Sequence, residues 1–132
     1  MLEVRHNRIL PADYMKLRSR CGIEPCKEIS AVGAIKQSIY TVGFYHGDQI
    51  IAFGRVCGDG CLSALVCDLM IDPKYAGSKL MPALVKDIED YLRETVNNDT
   101  EVLVKVDAPM DKLFARFGYK YFDTDYELVM KR

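Results

Sequence analysis

The sequence lacks an excess of charge of either sign. Its 132 residues include 18 Lys or Arg and 19 Asp or Glu, which gives a formal net charge of -1 at pH 7. A protein that binds the phosphate backbone of nucleic acid carries a clear basic surplus, because those contacts supply most of its affinity. The balance of charges therefore predicts a protein that does not bind nucleic acid.

Long apolar stretches are also missing. No run of apolar residues approaches the roughly 20 that a helix needs to cross a bilayer. The first residues, Met1-Leu2-Glu3-Val4-Arg5, lack the apolar segment of a secretory signal peptide. We therefore expect no membrane association and a cytoplasmic location.

The five cysteines lack the close Cys-x2-Cys spacing of a zinc site. Four residues separate Cys21 from Cys26, and three separate Cys57 from Cys61. An odd number of cysteines without a secretory context predicts reduced thiols and no bound metal. Cys57 and Cys61 flank Gly58-Asp59-Gly60, so we expect them to face each other across a hairpin, where oxidation could join them.

The composition that is present is typical of one globular domain. Hydrophobic residues make up 49% of the chain and charged residues 28%. A chain of this length buries roughly two-thirds of its unfolded surface, which is enough for a core. We predict one domain over residues 1–132.

Hydrophobic periodicity and turn residues predict alternating strands and helices. The predicted strands are residues 2–5, 39–45, 49–57, 62–71 and 101–106, with a last hairpin of 119–122 and 126–130. Two predicted helices begin at Pro11 and Pro25, and two more span residues 78–96 and 110–117. Three strands joined by glycine turns form an antiparallel meander, and the helix crossover makes strand 101–106 parallel to its predecessor. The fold class is a mixed α/β (α+β) protein with a mostly antiparallel sheet flanked by helices.

The first two predicted helices each have an apolar stripe. Leu10, Tyr14, Leu17 and Cys21 share a face of the first helix, and Ile29, Val32 and Ile35 share a face of the second. We expect both stripes to pack inward.

The stretch from Leu65 to Leu84 carries the most chemical information. Residues 65–71 read as a buried strand interrupted by one carboxylate, Asp68, and Asp72-Pro73 ends it. A loop containing Gly77 then leads into the amphipathic helix. A strand, a short glycine loop and a helix N-terminus make an anion site, because free backbone N–H groups and the positive end of the helix dipole point the same way.

Two segments of the sequence resemble the GNAT acetyltransferase superfamily. The segment DLMIDPKYAG, residues 68–77, and the helix after it are similar to that family's cofactor-binding segment. LFARFGY, residues 113–119, is similar to the family's F-Y-E-K-L-G-F signature. The order of the other elements also fits, so the resemblance covers nearly the whole chain. It implies a GNAT-like acyl-CoA N-acyltransferase fold and transfer of an acetyl group from acetyl-CoA to a small-molecule or peptide amine, with a homodimer left open.

The resemblance also implies which residues bind the cofactor. The backbone of Leu69, Met70 and Ile71 would contact the pantetheine arm. The pyrophosphate would lie against Ala76, Gly77, Ser78, Lys79, Leu80 and Met81. The family motif there is Q/R-x-x-G-x-G/A, and this chain has Lys79 and Met81 at the two glycine positions. Side chains at those points hold back a close phosphate, whereas the ammonium of Lys79 attracts it.

Two residues are candidates for the chemistry. A lone carboxylate such as Asp68 in a buried strand is either a base at the acceptor site or a structural group that caps a neighbouring backbone group or pairs with Arg55. The family's general-acid tyrosine is replaced by Phe114, which has no exchangeable proton and either packs near the thioester or joins the core. Tyr91, Tyr119 and Tyr121 are candidate substitutes. The alternative function is a catalytically impaired GNAT-fold protein that binds an acyl-CoA, another ligand or a partner.

Overall fold

A computed structural model describes residues 2–132 and shows a five-stranded sheet covered by helices. The strands are β1 (Leu2–His6), β2 (Tyr40–His46), β3 (Gln49–Gly58), β4 (Ser63–Ile71) and β5 (Glu101–Val104). The helices are α1 (Pro11–Arg20), α2 (Glu28–Gln37), α3 (Leu80–Thr95) and α4 (Asp111–Arg116), with a 3-10 turn at Pro73–Tyr75. The mixed fold class is confirmed. None of the helices within residues 2–132 is long and apolar enough to cross a membrane.

The sheet has the order β1-β2-β3-β4-β5. The first four strands are antiparallel neighbours, and β5 is parallel to β4 because α3 crosses over between them. The pairing of β5 runs only from Ser63 to Val66 of β4. Within the described part of the chain, β4 therefore continues to Ile71 with no strand beside it on that side.

A β-bulge interrupts β4 at Asp68. Arg55 pairs with Cys67 and Phe53 with Met70, so two residues of β4 stand opposite the single residue between Phe53 and Arg55. Asp68 has a φ of +55°, in the left-handed region that Asp tolerates better than most side chains. A bulge of this kind redirects a side chain out of the regular alternation.

The sheet has a hydrophobic core on each side. The core under α3 and α4 is built from the buried residues Val42, Phe44, Val56, Val66, Leu84, Val85, Ile88 and Phe114, among others. The core under α1 and α2 contains Ile9, Tyr14, Leu17, Ala31, Tyr45, Ile50, Phe53 and Met70. The bulge at Asp68 is part of the sheet that separates these two cores.

The inward face of α1 follows the predicted stripe at Tyr14 and Leu17, which are buried, but differs at Leu10, and the inward face of α2 differs more. Leu10 is 61% exposed, and its neighbour Ile9 is buried instead. On α2, Ile29 is 78% exposed and Ala31 is buried. Because α2 carries apolar residues on more than one side, spacing alone did not decide which side packs. The small side chain of Ala31 is the one that meets the core.

The predicted C-terminal hairpin does not form. No strand is assigned after β5 in the described chain, and the segment contains one turn in which the Asp123 carbonyl accepts the N–H groups of Tyr126 and Glu127. Met130 is 87% exposed. An isolated two-stranded hairpin is marginal in water, so the alternating pattern alone is not sufficient without a third strand to pair with.

Candidate functional site

The open side of β4 is the first part of the candidate site. Leu69, Met70 and Ile71 lie beyond the last pair with β5, and Met70 is buried whereas the other two are half-buried. The structure therefore leaves one side of this backbone segment without a strand neighbour. An extended ligand could pair with its free backbone groups there.

Asp72 fixes the end of β4 and the loop that follows. Its backbone N–H donates to Ile51 O at 2.8 Å, and its Oδ1 accepts the Lys74 N–H at 3.0 Å. Its Oδ2 accepts a bond from Arg20 Nε of α1 at 2.8 Å. Sequence reasoning treated Asp72 only as a strand stop. The Asp-Pro pair before a turn was a signal for the local bond, but nothing local indicated Arg20.

The loop before α3 presents unpaired backbone donors. Gly77 has a φ of +79°, a conformation that glycine adopts without strain. Ser78 Oγ accepts the Leu80 N–H at 3.2 Å. Within residues 2–132, the N–H groups of Gly77, Lys79 and Met81 have no acceptor. Of the predicted pyrophosphate contacts, Ala76, Gly77, Ser78 and Lys79 are exposed, Met81 is half-buried and Leu80 is buried.

Asp68 belongs to a hydrogen-bonded network with two arginines and one tyrosine hydroxyl. Its Oδ2 accepts bonds from Arg55 Nε at 2.6 Å and from the Tyr14 hydroxyl at 2.9 Å. Arg18 Nη1 donates to the same hydroxyl at 3.1 Å. The Arg55 pair that sequence analysis considered is therefore formed. Oδ1 of Asp68 accepts no hydrogen bond from the described residues, so one oxygen remains available.

The charges in this network reinforce one another. Burial raises the pKa of the Tyr14 hydroxyl, and the nearby Asp68 carboxylate raises it further. Burial alone would lower the pKa of the Arg55 guanidinium, but the hydrogen bond that it donates to Asp68, together with the charges of Asp68 and of the neighbouring cysteines, outweighs burial and the pKa rises. Arg55 therefore stays charged and Tyr14 stays protonated. Sequence reasoning missed Tyr14 and Arg18, whose spacing of four residues indicated a shared helix face but not its target.

A cavity lies beside this network. It has a volume of about 300 Å³ and lies between α1 and the segment that leads to α2. Arg18 belongs to its wall and links it to Tyr14. The other lining residues include Met15, Ser19, Ile23, Glu24 and Cys26.

Phe114 lies in the core rather than at an open surface. It is 2% exposed and contacts Tyr119 edge-on, with 5.4 Å between ring centroids. Of the two alternatives from the sequence, its placement fits the core role. Its ring belongs to the hydrophobic core under α3.

The tyrosines considered as substitutes for the missing acid are all engaged elsewhere. Burial raises the pKa of the Tyr119 hydroxyl, and the nearby Glu89 carboxylate raises it further. Tyr91 donates to a backbone carbonyl of the segment before β2 at 3.4 Å. Tyr121 is exposed and donates to Asp111. None of these hydroxyls is hydrogen-bonded to Asp68 in the described chain.

Comparison with known proteins identifies the family. Residues 20–128 match the model of the acetyltransferase (GNAT) domain. No curated protein matches the sequence. A protein of unknown function from meticillin-resistant Staphylococcus aureus, described as a probable acetyltransferase, is 26% identical, with 100% of this chain and 99% of that chain covered and a TM-score of 0.88.

Two further solved structures share the fold. A GNAT family acetyltransferase from Streptococcus pneumoniae is 18% identical, with 100% and 97% of the two chains covered and a TM-score of 0.79. A predicted acetyltransferase from Clostridium acetobutylicum, solved with acetyl-CoA, is 12% identical, with 99% and 96% covered and a TM-score of 0.72. The family match spans most of the sequence, and the fold agrees over its whole length. The chain belongs to the GNAT acetyltransferase family.

Proposed function

We propose that this protein transfers an acetyl group from acetyl-CoA to the amine of a small molecule or peptide. The observation that carries the proposal is the open side of β4 after Val66, which leads directly into a loop with unpaired N–H groups at the start of α3. The two features together suit a long ligand with an extended arm and a phosphate end. The Clostridium acetobutylicum structure, which contains acetyl-CoA on the same fold, supports this choice of ligand.

The residues present fit the cofactor with one compromise. The N–H groups of Gly77, Lys79 and Met81 would bind the pyrophosphate, and the Lys79 ammonium adds a positive charge. The side chains of Lys79 and Met81 stand where glycines would let the phosphate come closer. The backbone of residues 69–71 would hold the pantetheine arm. We therefore infer binding that is weaker and more salt-dependent than two glycines would give.

The reaction needs a proton acceptor for the amine and a proton donor for the thiol. The amine nitrogen attacks the thioester carbon, the carbon–sulfur bond breaks, and the nitrogen loses a proton. Asp68 Oδ1 is free to accept that proton, directly or through a water, while Arg55 and Tyr14 hold the carboxylate by Oδ2. Phe114 cannot donate a proton, so water protonates the leaving sulfur. The absent general acid costs up to about 10²–10⁴-fold in rate.

The cavity beside α1 suits the acceptor. Its volume of about 300 Å³ is at the small end of ligand sites, and the Arg18–Tyr14 bond connects its wall to Asp68. A small amine or the end of a peptide fits this volume. We infer that the acceptor enters from this side of the sheet.

The second candidate function is a binding protein without catalysis. The side chains at Lys79 and Met81 and the absence of a hydroxyl at Phe114 favour it. An assay of thiol release from acetyl-CoA with a panel of amines separates the two candidates, since a binding protein releases no thiol above the uncatalysed rate.

The acetyl-CoA assignment is tested at Met81 and Lys79. Met81→Gly should tighten acetyl-CoA binding, limited by the roughly 1 kcal/mol that glycine costs a helix. Lys79→Gly should make binding less sensitive to salt, because it removes a positive charge whose attraction to phosphate is screened by salt ions. Calorimetry at two salt concentrations measures both. Lys79→Gln is the matched control, since it removes the charge and keeps a side chain at the position.

Two results would contradict the assignment. If neither the parent nor any of these variants binds acetyl-CoA at millimolar concentration, the loop is only a helix start and the acetyltransferase proposal fails. If Lys79→Gln leaves the salt dependence unchanged, Lys79 does not contact phosphate.

Phe114→Tyr tests whether thiol protonation limits the rate. If the site holds the thioester near this ring, the new hydroxyl should raise thiol release about tenfold or more. Because Phe114 is buried, the same hydroxyl should cost about 1–3 kcal/mol of unfolding free energy if it finds no partner. Phe53→Tyr, at a buried position on the other side of the sheet, should lose stability without any gain in rate. No gain in a folded, cofactor-binding Phe114 variant would show that protonation is not limiting.

A further inference from the structure

Two cysteines lie side by side on neighbouring strands. Cys57 of β3 and Cys67 of β4 have their Sγ atoms 3.7 Å apart. The sequence predicted Cys61 as the neighbour of Cys57, and that prediction is wrong. Cys61 is exposed in the turn, whereas the antiparallel register brings Cys67 next to Cys57. The two cysteines are diagonal neighbours, since Cys67 pairs with Arg55 and Cys57 with Leu65, so joining the sulfurs requires a small movement of the strands as well as of the side chains.

An arginine contacts one sulfur of this pair. Arg55 Nη1 donates to Cys57 Sγ at 2.8 Å, while its Nε donates to Asp68. A cation at this distance favours a thiolate, which is the nucleophilic form of cysteine. The hydrogen bond from Cys67 lowers the pKa of the Cys57 thiol, burial opposes this, and the Arg55 charge lowers it further. The same bond and burial raise the pKa of the Cys67 thiol.

The two sulfurs are thus unlike in chemistry. Cys57 is half-buried and is the last residue but one of β3, whereas Cys67 is buried. The first is suited to attack an external reagent, and the second is suited to respond only to a sulfur already beside it. We propose that Cys57 and Cys67 are a redox-active thiol pair that reacts with hydroperoxides, with Cys57 as the attacking thiolate and Cys67 as the resolving thiol.

The reaction balances with hydrogen peroxide as the oxidant; an organic hydroperoxide would release its alcohol in place of the first water. The Cys57 thiolate attacks one peroxide oxygen, the oxygen–oxygen bond breaks, and hydroxide leaves and takes up a proton to become water. Cys57 is then a sulfenic acid. Cys67 loses its proton and attacks the Cys57 sulfur, the sulfur–oxygen bond breaks, and a second water leaves. The two thiols are oxidised to one disulfide, and the peroxide is reduced to two waters.

The other cysteines lack this arrangement. Cys21 donates to a backbone carbonyl of β4, and burial raises the pKa of its thiol. Cys26 is half-buried like Cys57 but has no second sulfur in contact within residues 2–132. Cys26 is therefore a matched internal control for accessibility, and Cys61 is the control for an exposed thiol.

The test is hydrogen peroxide treatment of the whole reduced protein at equimolar concentration, followed by intact mass and peptide mapping. We expect the loss of two hydrogen atoms and one disulfide that joins Cys57 to Cys67. Cys67→Ser should instead leave a sulfenic acid on Cys57 that dimedone traps. In that variant Cys57 should react at least about tenfold faster than Cys26 or Cys61, the margin expected of a thiol activated by a cation.

The opposite results would overturn the inference. A disulfide that maps to Cys61, or equal dimedone labelling of Cys57 and Cys26 in folded Cys67→Ser, would show that the pair is not activated. Cys57→Ser provides the second check, since it should abolish disulfide formation at equimolar peroxide. A disulfide that persists in this variant would assign the reaction to other cysteines. None of these measurements depends on acetyl transfer.

Discussion

Asp68→Asn should lower acetyl transfer per folded molecule by about 10²-fold or more, the contribution expected of a general base. Asparagine keeps one oxygen of the carboxylate, replaces the other with an amide nitrogen, and tolerates the left-handed backbone at this residue. It cannot accept a proton near neutral pH. Because the Asp68 side chain is held by Tyr14 and Arg55 rather than by the α3 loop, the affinity for acetyl-CoA should change little. Initial rates of thiol release and calorimetry with acetyl-CoA measure the two quantities.

A matched control separates the base from a structural role. Tyr45 donates to Asp13 Oδ2 at 3.0 Å, which is the same tyrosine–aspartate bond on β2 and α1. Asp13→Asn should leave the rate nearly unchanged, because Asp13 is bonded to Tyr45 and makes no hydrogen bond to Asp68, Arg55 or Tyr14 within residues 2–132. If Asp68→Asn loses thermal stability and keeps its activity per folded molecule, Asp68 is a structural partner of Arg55 and another group accepts the proton.

Asp72→Ala should lower the unfolding free energy by about 3 kcal/mol. The carboxylate is 2% exposed and joins three parts of the chain, namely β4, the 3-10 turn and Arg20 of α1. Removing it leaves the Lys74 N–H and Arg20 Nε without their acceptor, while Arg20 Nη2 keeps its bond to the Ile50 carbonyl. Arg20 retains some access to water, which places the cost at the lower end of that for breaking a buried ion pair. Urea unfolding at neutral pH measures the difference.

Asp90→Ala is the control for Asp72→Ala. Asp90 also has two cationic neighbours, Lys86 and Arg93, but all three side chains are largely exposed on α3. Water and salt screen such pairs, so the variant should be nearly as stable as the parent. Equal losses from Asp72→Ala and Asp90→Ala would show that burial of the Asp72 carboxylate carries no special weight.

The same carboxylate predicts a pH dependence of stability. Burial alone would raise the pKa of Asp72, but the bonds from the Lys74 N–H and Arg20 outweigh it and hold the pKa below the ordinary value of 3.8. Because the pKa of Asp72 is lower in the folded protein than in the unfolded chain, the ionised carboxylate stabilises the fold fully at pH values above the ordinary pKa of 3.8. The contribution is lost as the pH falls through the lower, folded value. The difference in unfolding free energy between the parent and Asp72→Asn should therefore become smaller below about pH 4. A difference that stays constant with pH would show that the ionised Asp72 carboxylate does not stabilise the fold.

The sequence by itself determined the order and type of most elements. The alternating meander, the long amphipathic helix α3 and the parallel β5 were all predictable, because each depends on a local period or on the handedness of one crossover. The same local patterns carried the family resemblance, including the replacements at Lys79, Met81 and Phe114. The family match and the shared fold confirm the fold class and the family.

Only the tertiary structure decided which side chains meet. The bulge at Asp68 lies 54 residues from Tyr14, and Cys57 has Cys67 rather than Cys61 as its sulfur neighbour. Pairings of this kind depend on strand register and on how α1 packs on the sheet. The predicted C-terminal hairpin does not form, because its alternating pattern has no neighbouring strand to pair with. Hydrophobic periodicity predicts the buried face of a strongly amphipathic element such as α3, but it did not decide the buried face of α2. In both cases the partner across that face is set by contacts between residues far apart in the chain.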